Sequence, residues 1–170
     1  MHSIIHKVES SLVSRHLVVL GSIDSDWSKV GLSKAEHDFV ISKLGSGELS
    51  IHINQYSRII FIESFQEGSA NNNAEKARER GAKLVKKCNE AKIEEVELMS
   101  LSSSDLSLYV AEGMALANYQ FLKYFSAPEK KRNSIKAIFI HAESSVVQNM
   151  NAVVSGTLYA RDFVNEPLSY

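Results

Sequence analysis

The sequence predicts an α/β fold, a mixed six-stranded sheet flanked by helices on both faces. Three observations carry that prediction. Strand-sized apolar runs alternate with helix-sized segments in the order β-β-α-β-β-α-β-α-β-α. The third and fourth strands are separated by a turn too short for a crossover, so the sheet is mixed rather than purely parallel. Finally, 170 residues, 44% hydrophobic and 23% charged, suffice for one domain with a real core.

The elements follow in order. Ser3 to Val8 and His16 to Gly21 read as two short strands, and the continuous run Leu17-Val18-Val19-Leu20 marks the second as buried on both faces. Trp27 lies in the polar stretch Asp24 to Lys29, where packing under a loop and a partner contact are both open. Ser33-Lys34-Ala35-Glu36 is a capping box that opens a helix. Phe39, Val40 and Leu44 repeat at helical spacing behind it, and Gly45 stops it. Glu48 to Asn54 alternates, with Leu49, Ile51 and Ile53 on one face. A hairpin turn around Gln55-Tyr56-Ser57 leads to the strand Arg58 to Glu63.

After a polar loop, Gln66 to Asn73, an asparagine is placed to cap a second helix from about Ala74 to Ala91. Its inner stripe is Ala77, Gly81, Leu84, Val85 and Cys88. Gly81 lowers helix propensity by about 1 kcal/mol, which points to close packing against a strand. Glu95 to Met99 is a strand. Ser102-Ser103-Ser104-Asp105 caps a third helix with Val110, Met114, Ala117 and Phe121 inward. Pro128 to Asn133 is a charged loop, Ile135 to His141 the sixth strand, and Ser145 to Val164 the last helix, ended by Pro167.

Composition narrows the function. Lys+Arg is 19 against Asp+Glu 20, a net charge of −1, which gives no footprint for nucleic acid or an anionic membrane. No run approaches the roughly 18 apolar residues of a membrane span. The first residues lack the apolar core of a signal peptide, and the one cysteine, Cys88, reads as a reduced, buried thiol. A cytoplasmic protein is the expectation.

No constellation of catalytic residues emerges. His2, His6, His16, His37, His52 and His141 share no metal-ligand spacing with each other, with Cys88 or with carboxylates. There is no nucleophile elbow, P-loop or dinucleotide fingerprint. Gly45-Ser46-Gly47 is a helix stop, and Glu129-Lys130-Lys131-Arg132 a solvated loop tip. The expectation is no catalytic and no metal-binding residue in this chain. The local feature that fits a ligand is Asn71, Asn72 and Asn73, which follow a strand and open a helix. Plain capping and anion binding by backbone N–H groups both account for them.

Two segments resemble a known family. Glu112-Gly113-Met114-Ala115-Leu116-Ala117-Asn118-Tyr119-Gln120-Phe121 is similar to a helix in the N-terminal domain of leucine (cytosol) aminopeptidases. Gly156-Thr157-Leu158-Tyr159-Ala160-Arg161-Asp162-Phe163-Val164-Asn165-Glu166-Pro167 resembles that family's linker helix. The resemblance implies a macro-domain-like N-terminal domain over 1–144 and a linker helix over 145–170 leading to a catalytic domain absent from this chain. It implies that the whole protein is a two-metal (zinc or manganese) peptidase, a hexamer that removes N-terminal residues from peptides. Its metal ligands would all lie beyond Pro167, so the chain itself is expected to be inactive, to carry no cofactor, and to serve assembly and access to the active site. The resemblance leads us to expect that the native protein continues past Tyr170. The exposed faces of Val153, Val154, Leu158 and Phe163 would then favour self-association of the isolated chain. The alternative is a stand-alone module binding a nucleotide or ADP-ribose at Asn71 to Asn73.

Overall fold

Strands β1 (Ile4–Lys7), β2 (His16–Leu20), β4 (Ile59–Glu63), β5 (Glu95–Ser100) and β6 (Ala137–Ile140) run parallel, and β3 (Ser50–Asn54) lies antiparallel on β4. The sheet order is β1-β6-β5-β2-β4-β3. Helices α1 (Lys34–Gly45), α2 (Ala70–Glu90), α3 (Leu106–Ala117) and α4 (Ser144–Asn165) complete the fold, with 3₁₀ turns at Trp27–Val30 and Pro128–Lys131. These elements come from a computed structural model that describes residues 4–9, 15–65, 70–101 and 106–167.

The apolar run of β2 explains the layering. Val18 and Leu20 point into a core built with α2, α3 and α4, whereas Leu17 and Val19 point into a second core under α1 and Trp27. The strand is therefore sandwiched between two apolar layers, as its unbroken hydrophobicity requires. β3 alternates as expected: Ile51 and Ile53 are buried, and Ser50, His52 and Asn54 are exposed. The hairpin turns at Tyr56, whose φ of 61° is held by its own N–H donating to Asn54 Oδ1 at 2.9 Å. The α1 capping box is complete: Glu36 N–H donates to Ser33 Oγ (3.3 Å) and Ser33 N–H to Glu36 Oε2 (2.7 Å). Trp27 is buried, its Nε1 donating to Ser22 O at 3.2 Å, so loop packing and not a partner contact accounts for it.

Several expectations change. Helix α2 begins at Ala70, not Ala74, so the asparagines form its first turn rather than precede it. Phe39 is exposed, because Val40 is the α1 residue aimed at the sheet. Helix α3 ends at Ala117, which is exposed, and Phe121 lies beyond its end. Gly81 packs against a helix, not a strand. A Cβ there would sit 2.2 Å from Val110 O, and one on Gly113 would sit 2.1 Å from Arg78 O. Helices α2 and α3 therefore cross backbone to backbone, each through a glycine. Arg78 reinforces the crossing with an ion pair to Glu112 at 2.7 Å. Within α4, Val154 and Leu158 are buried in the main core, whereas Val153 and Phe163 are exposed. The expected capping stretch Ser102-Ser103-Ser104-Asp105 lies outside the described residues.

Candidate functional site

A concavity of about 620 Å³ lies between the last turns of α4 and residues 118–133, the segment joining α3 to β6. Both α3 and α4 return from the C-terminal ends of the strands, so this groove sits at the opposite, N-terminal edge of the parallel sheet. Asn118, on its lining, anchors an asparagine relay. Asn118 Nδ2 donates to Ile135 O (3.1 Å), Asn89 Nδ2 donates to Asn118 Oδ1 (2.9 Å), and Asn89 Oδ1 accepts from Ser134 N and Ile135 N (2.7 and 3.0 Å). These bonds fix both ends of a long connection to the end of α2, which a buried polar loop requires.

The walls come from the two segments that carry the family resemblance. Tyr119 OH donates to Asp162 Oδ1 at 2.8 Å, and Asn165 Nδ2 donates to Tyr119 OH at 3.1 Å. Arg161 Nη1 donates to Leu116 O at 2.7 Å, placing a cation on the C-terminal end of α3, where the helix dipole favours it. Lys123 Nζ reaches Glu166 Oε1 at 2.5 Å, and Tyr124 OH donates to the other oxygen of that carboxylate. The bonds from Lys123, then Tyr124, hold the Glu166 carboxyl below its usual range. Desolvation, then the bond to Asp162, pushes the Tyr119 hydroxyl up. The segments around 112–121 and 156–167 thus meet in space and clamp α4 onto the end of α3.

Both carboxylates, Asp162 and Glu166, are engaged as acceptors. Tyr159 and Phe163 line the groove, exposed at 64% and 62% and in an edge-on ring pair at 4.6 Å, and the neighbouring Val164 is exposed at 86%.

The asparagines predicted as a ligand loop lie at the other end of the sheet. Asn71, Asn72 and Asn73 occupy the first turn of α2, following β4, and the side chains of Asn71 and Asn72 lie outside the described residues. Among the described histidines, His16 Nδ1 accepts from Ile59 N at 3.0 Å, His37 lies 3.5 Å from Asp38, and His6 and His52 stack on Phe139 and Phe61. Cys88 is buried, and desolvation pushes its thiol up to about 12. No group of three or more His, Cys, Asp or Glu among the described residues could hold a metal ion.

Sequence reasoning missed a buried ion cluster. Glu97, in the middle of β5, is fully buried on the half of the sheet that α1 leaves uncovered. It pairs with Arg15 Nη1 and His141 Nε2, each at 3.0 Å, while Arg15 lies 3.8 Å over the Phe139 ring. The alternation Glu95-Val96-Glu97-Leu98 reads as a solvated strand face, and only the tertiary position of Arg15 reveals otherwise.

No protein-family model and no curated protein sequence matches this chain. Solved structures do. Over 97% of its length the chain superposes on a tomato leucine aminopeptidase variant, with a TM-score of 0.63 and 13% identity. Over 90% it superposes on the bottromycin maturation enzyme BotP, with a TM-score of 0.59 and 17% identity. The chain shares, distantly, the fold of leucine-aminopeptidase-type proteins. It spans 38% and 33% of those two chains. No helix among the described residues is long and apolar enough to cross a membrane.

Proposed function

We propose that this chain is the non-catalytic N-terminal domain of a metal-dependent aminopeptidase, serving assembly and access to the active site. The observation that carries the reading is the superposition of nearly the whole chain on part of a leucine aminopeptidase. Two features support it. The residues that suggested the family are the clamp between α3 and α4, so they have an architectural task. The apolar face at Tyr159, Phe163 and Val164 lies at the end of the helix that would lead onward, where a second domain would cover it.

The described residues do not fit a two-metal centre. In this reading the zinc or manganese, the peptide substrate and the hexameric assembly belong to the whole protein. An antibody against this chain should immunoprecipitate, from the source cells, an activity on leucyl-p-nitroanilide that is lost on metal chelation. The isolated 170-residue chain should show no turnover with manganese or zinc added. A precipitate without peptidase activity, or turnover by the isolated chain, contradicts the proposal.

A second reading, a nucleotide or ADP-ribose module, draws on one observation. The first turn of α2, with Asn71 to Asn73, follows the C-terminal end of β4. Open α/β sheets bind ligands at the C-terminal ends of their parallel strands. Calorimetry with ADP-ribose tests it: saturable heat supports it, and a flat titration removes it.

A further inference from the structure

The two edges of the sheet are treated differently. The outer edge of β1 is closed by α4: Asn151 Nδ2 donates to Ile5 O at 2.7 Å, and Ile5 N–H donates to Asn151 Oδ1 at 3.1 Å. No described strand pairs with the outer edge of β3. Its register shows which groups are free. Ser64 N donates to Leu49 O and Gln55 N to Arg58 O, so the odd-numbered residues Leu49 to Gln55 bond β4. The backbone N–H and C=O groups of Ser50, His52 and Asn54 therefore point outward, and their side chains are exposed on the α2 side of the sheet.

Beside this edge lies a concavity of about 220 Å³ lined by Ser50, Glu63, Arg80, Lys83 and Lys87. Glu63 is buried, bonded to Ser50 Oγ (2.6 Å) and paired with Arg80 (3.4 Å). Lys83 and Lys87 are exposed, and Lys87 Nζ reaches over the edge to Ser50 Oγ at 3.3 Å. Two exposed cations thus flank a row of backbone groups that no described strand pairs.

We propose that the β3 edge binds an acidic, extended peptide segment as an added strand. Backbone groups of Ser50, His52 and Asn54 would supply the ladder, and Lys83 and Lys87 would read carboxylates. A strand's side chains alternate between faces. Acidic residues at every second position would face the lysines, with apolar ones on the opposite side, beside Ile51 and Ile53. Strand addition of this kind takes affinity from main-chain bonds and specificity from alternate side chains. The same lysines argue against a second copy of this chain as the occupant. Antiparallel pairing of two β3 edges would bring both rows of cations together on one face.

The test is a titration of the ¹⁵N-labelled chain with a capped Glu-Val-Glu-Val-Glu peptide. The amides of Ser50, His52 and Asn54 should shift in a saturable way. Charge reversal at Lys83→Glu with Lys87→Glu should weaken binding at least about fivefold, and so should N-methylation of the peptide backbone, which removes two or more hydrogen bonds. The methylated peptide requires no variant of the protein and so stands apart from any folding defect. The proposal is overturned by absence of shifts at millimolar peptide, by equal binding of the methylated peptide, by indifference to charge reversal, or by inorganic phosphate reproducing the same shifts. A concentration-dependent dimer that His52→Pro abolishes would also overturn it, in favour of self-pairing.

Discussion

Replacing Gly81 by alanine should destabilise the protein, although alanine is the better helix former. The added Cβ would lie 2.2 Å from Val110 O and 2.9 Å from Met114 N, both backbone atoms of α3 that cannot rotate away. Ordinary contact begins at 3.4 Å, so α2 and α3 must part by roughly 1 Å. A gap of that size forfeits about a quarter to a half of the dispersion energy across the interface. That interface includes Ala77, Leu84, Val110 and Met114. Overpacking of this kind costs about 1–3 kcal/mol, and a backbone-to-backbone clash belongs at the top of that range. The gain in helix propensity returns about 1 kcal/mol, leaving a net loss of about 2 kcal/mol. In a chain of this size that lowers Tm by about 4–8 °C. Gly156→Ala is the control. It lies on the exposed side of α4 with nothing within 4 Å of the added carbon, and should stabilise by about 0.4–1 kcal/mol. Urea unfolding of both variants decides the matter. If Gly81→Ala raises the midpoint as Gly156→Ala does, the close crossing of α2 and α3 is refuted. The double variant with Gly113→Ala should lose less than the sum of the two, because one separation relieves both clashes.

Four further outcomes follow from the same structure. Removing Glu97 by Glu97→Ala leaves the Arg15 guanidinium buried without its closest carboxylate and should cost about 3–5 kcal/mol in urea unfolding, whereas an unpaired surface glutamate would cost almost nothing. Cys88, with its thiol pushed from 9.0 to about 12, should hold about a thousand-fold less thiolate than a free cysteine and react with a disulfide reagent only as the chain unfolds. Desolvation raises the Glu63 carboxyl above its ordinary 4.5, so the folded state keeps that proton longer than the unfolded one. The stability it contributes is fully present below pH 4.5 and is lost as pH rises through the raised value, and Glu63→Gln should flatten that part of the pH–stability curve. Phe163→Asp should leave the melting temperature of the isolated chain nearly unchanged and reduce its self-association in sedimentation, since the ring is mostly exposed.

Local signals made much of the fold legible. The run Leu17 to Leu20, the Ser33–Glu36 capping box, the β3 alternation and the hairpin at Tyr56 each depend on neighbours in sequence, and each is where the pattern put it. What escaped depends on distant residues. Asparagine is tolerated in a first helical turn as well as at a cap, so α2 begins at Ala70, four residues before the expected Ala74. Gly81 announced a close approach, but its partner, α3, is about thirty residues further on. Ala117 and Phe121 continue the spacing of Val110 and Met114, yet α3 stops at Ala117, and Asn118 turns instead to the Ile135 carbonyl and to Asn89. The groove was illegible for the same reason: Tyr119–Asp162 and Arg161–Leu116 join residues more than forty positions apart. Motif resemblance flagged both segments without saying that they touch.

The central claim is that this chain is one domain of a larger peptidase. The most direct measurement is the mass of the native gene product, by immunoblot of source-cell extract with an antibody raised against this chain. The account predicts a band about two to three times 18.9 kDa, the proportion set by the chain's 38% share of the aminopeptidase it superposes on. A band at 18.9 kDa, with no larger species, would contradict it.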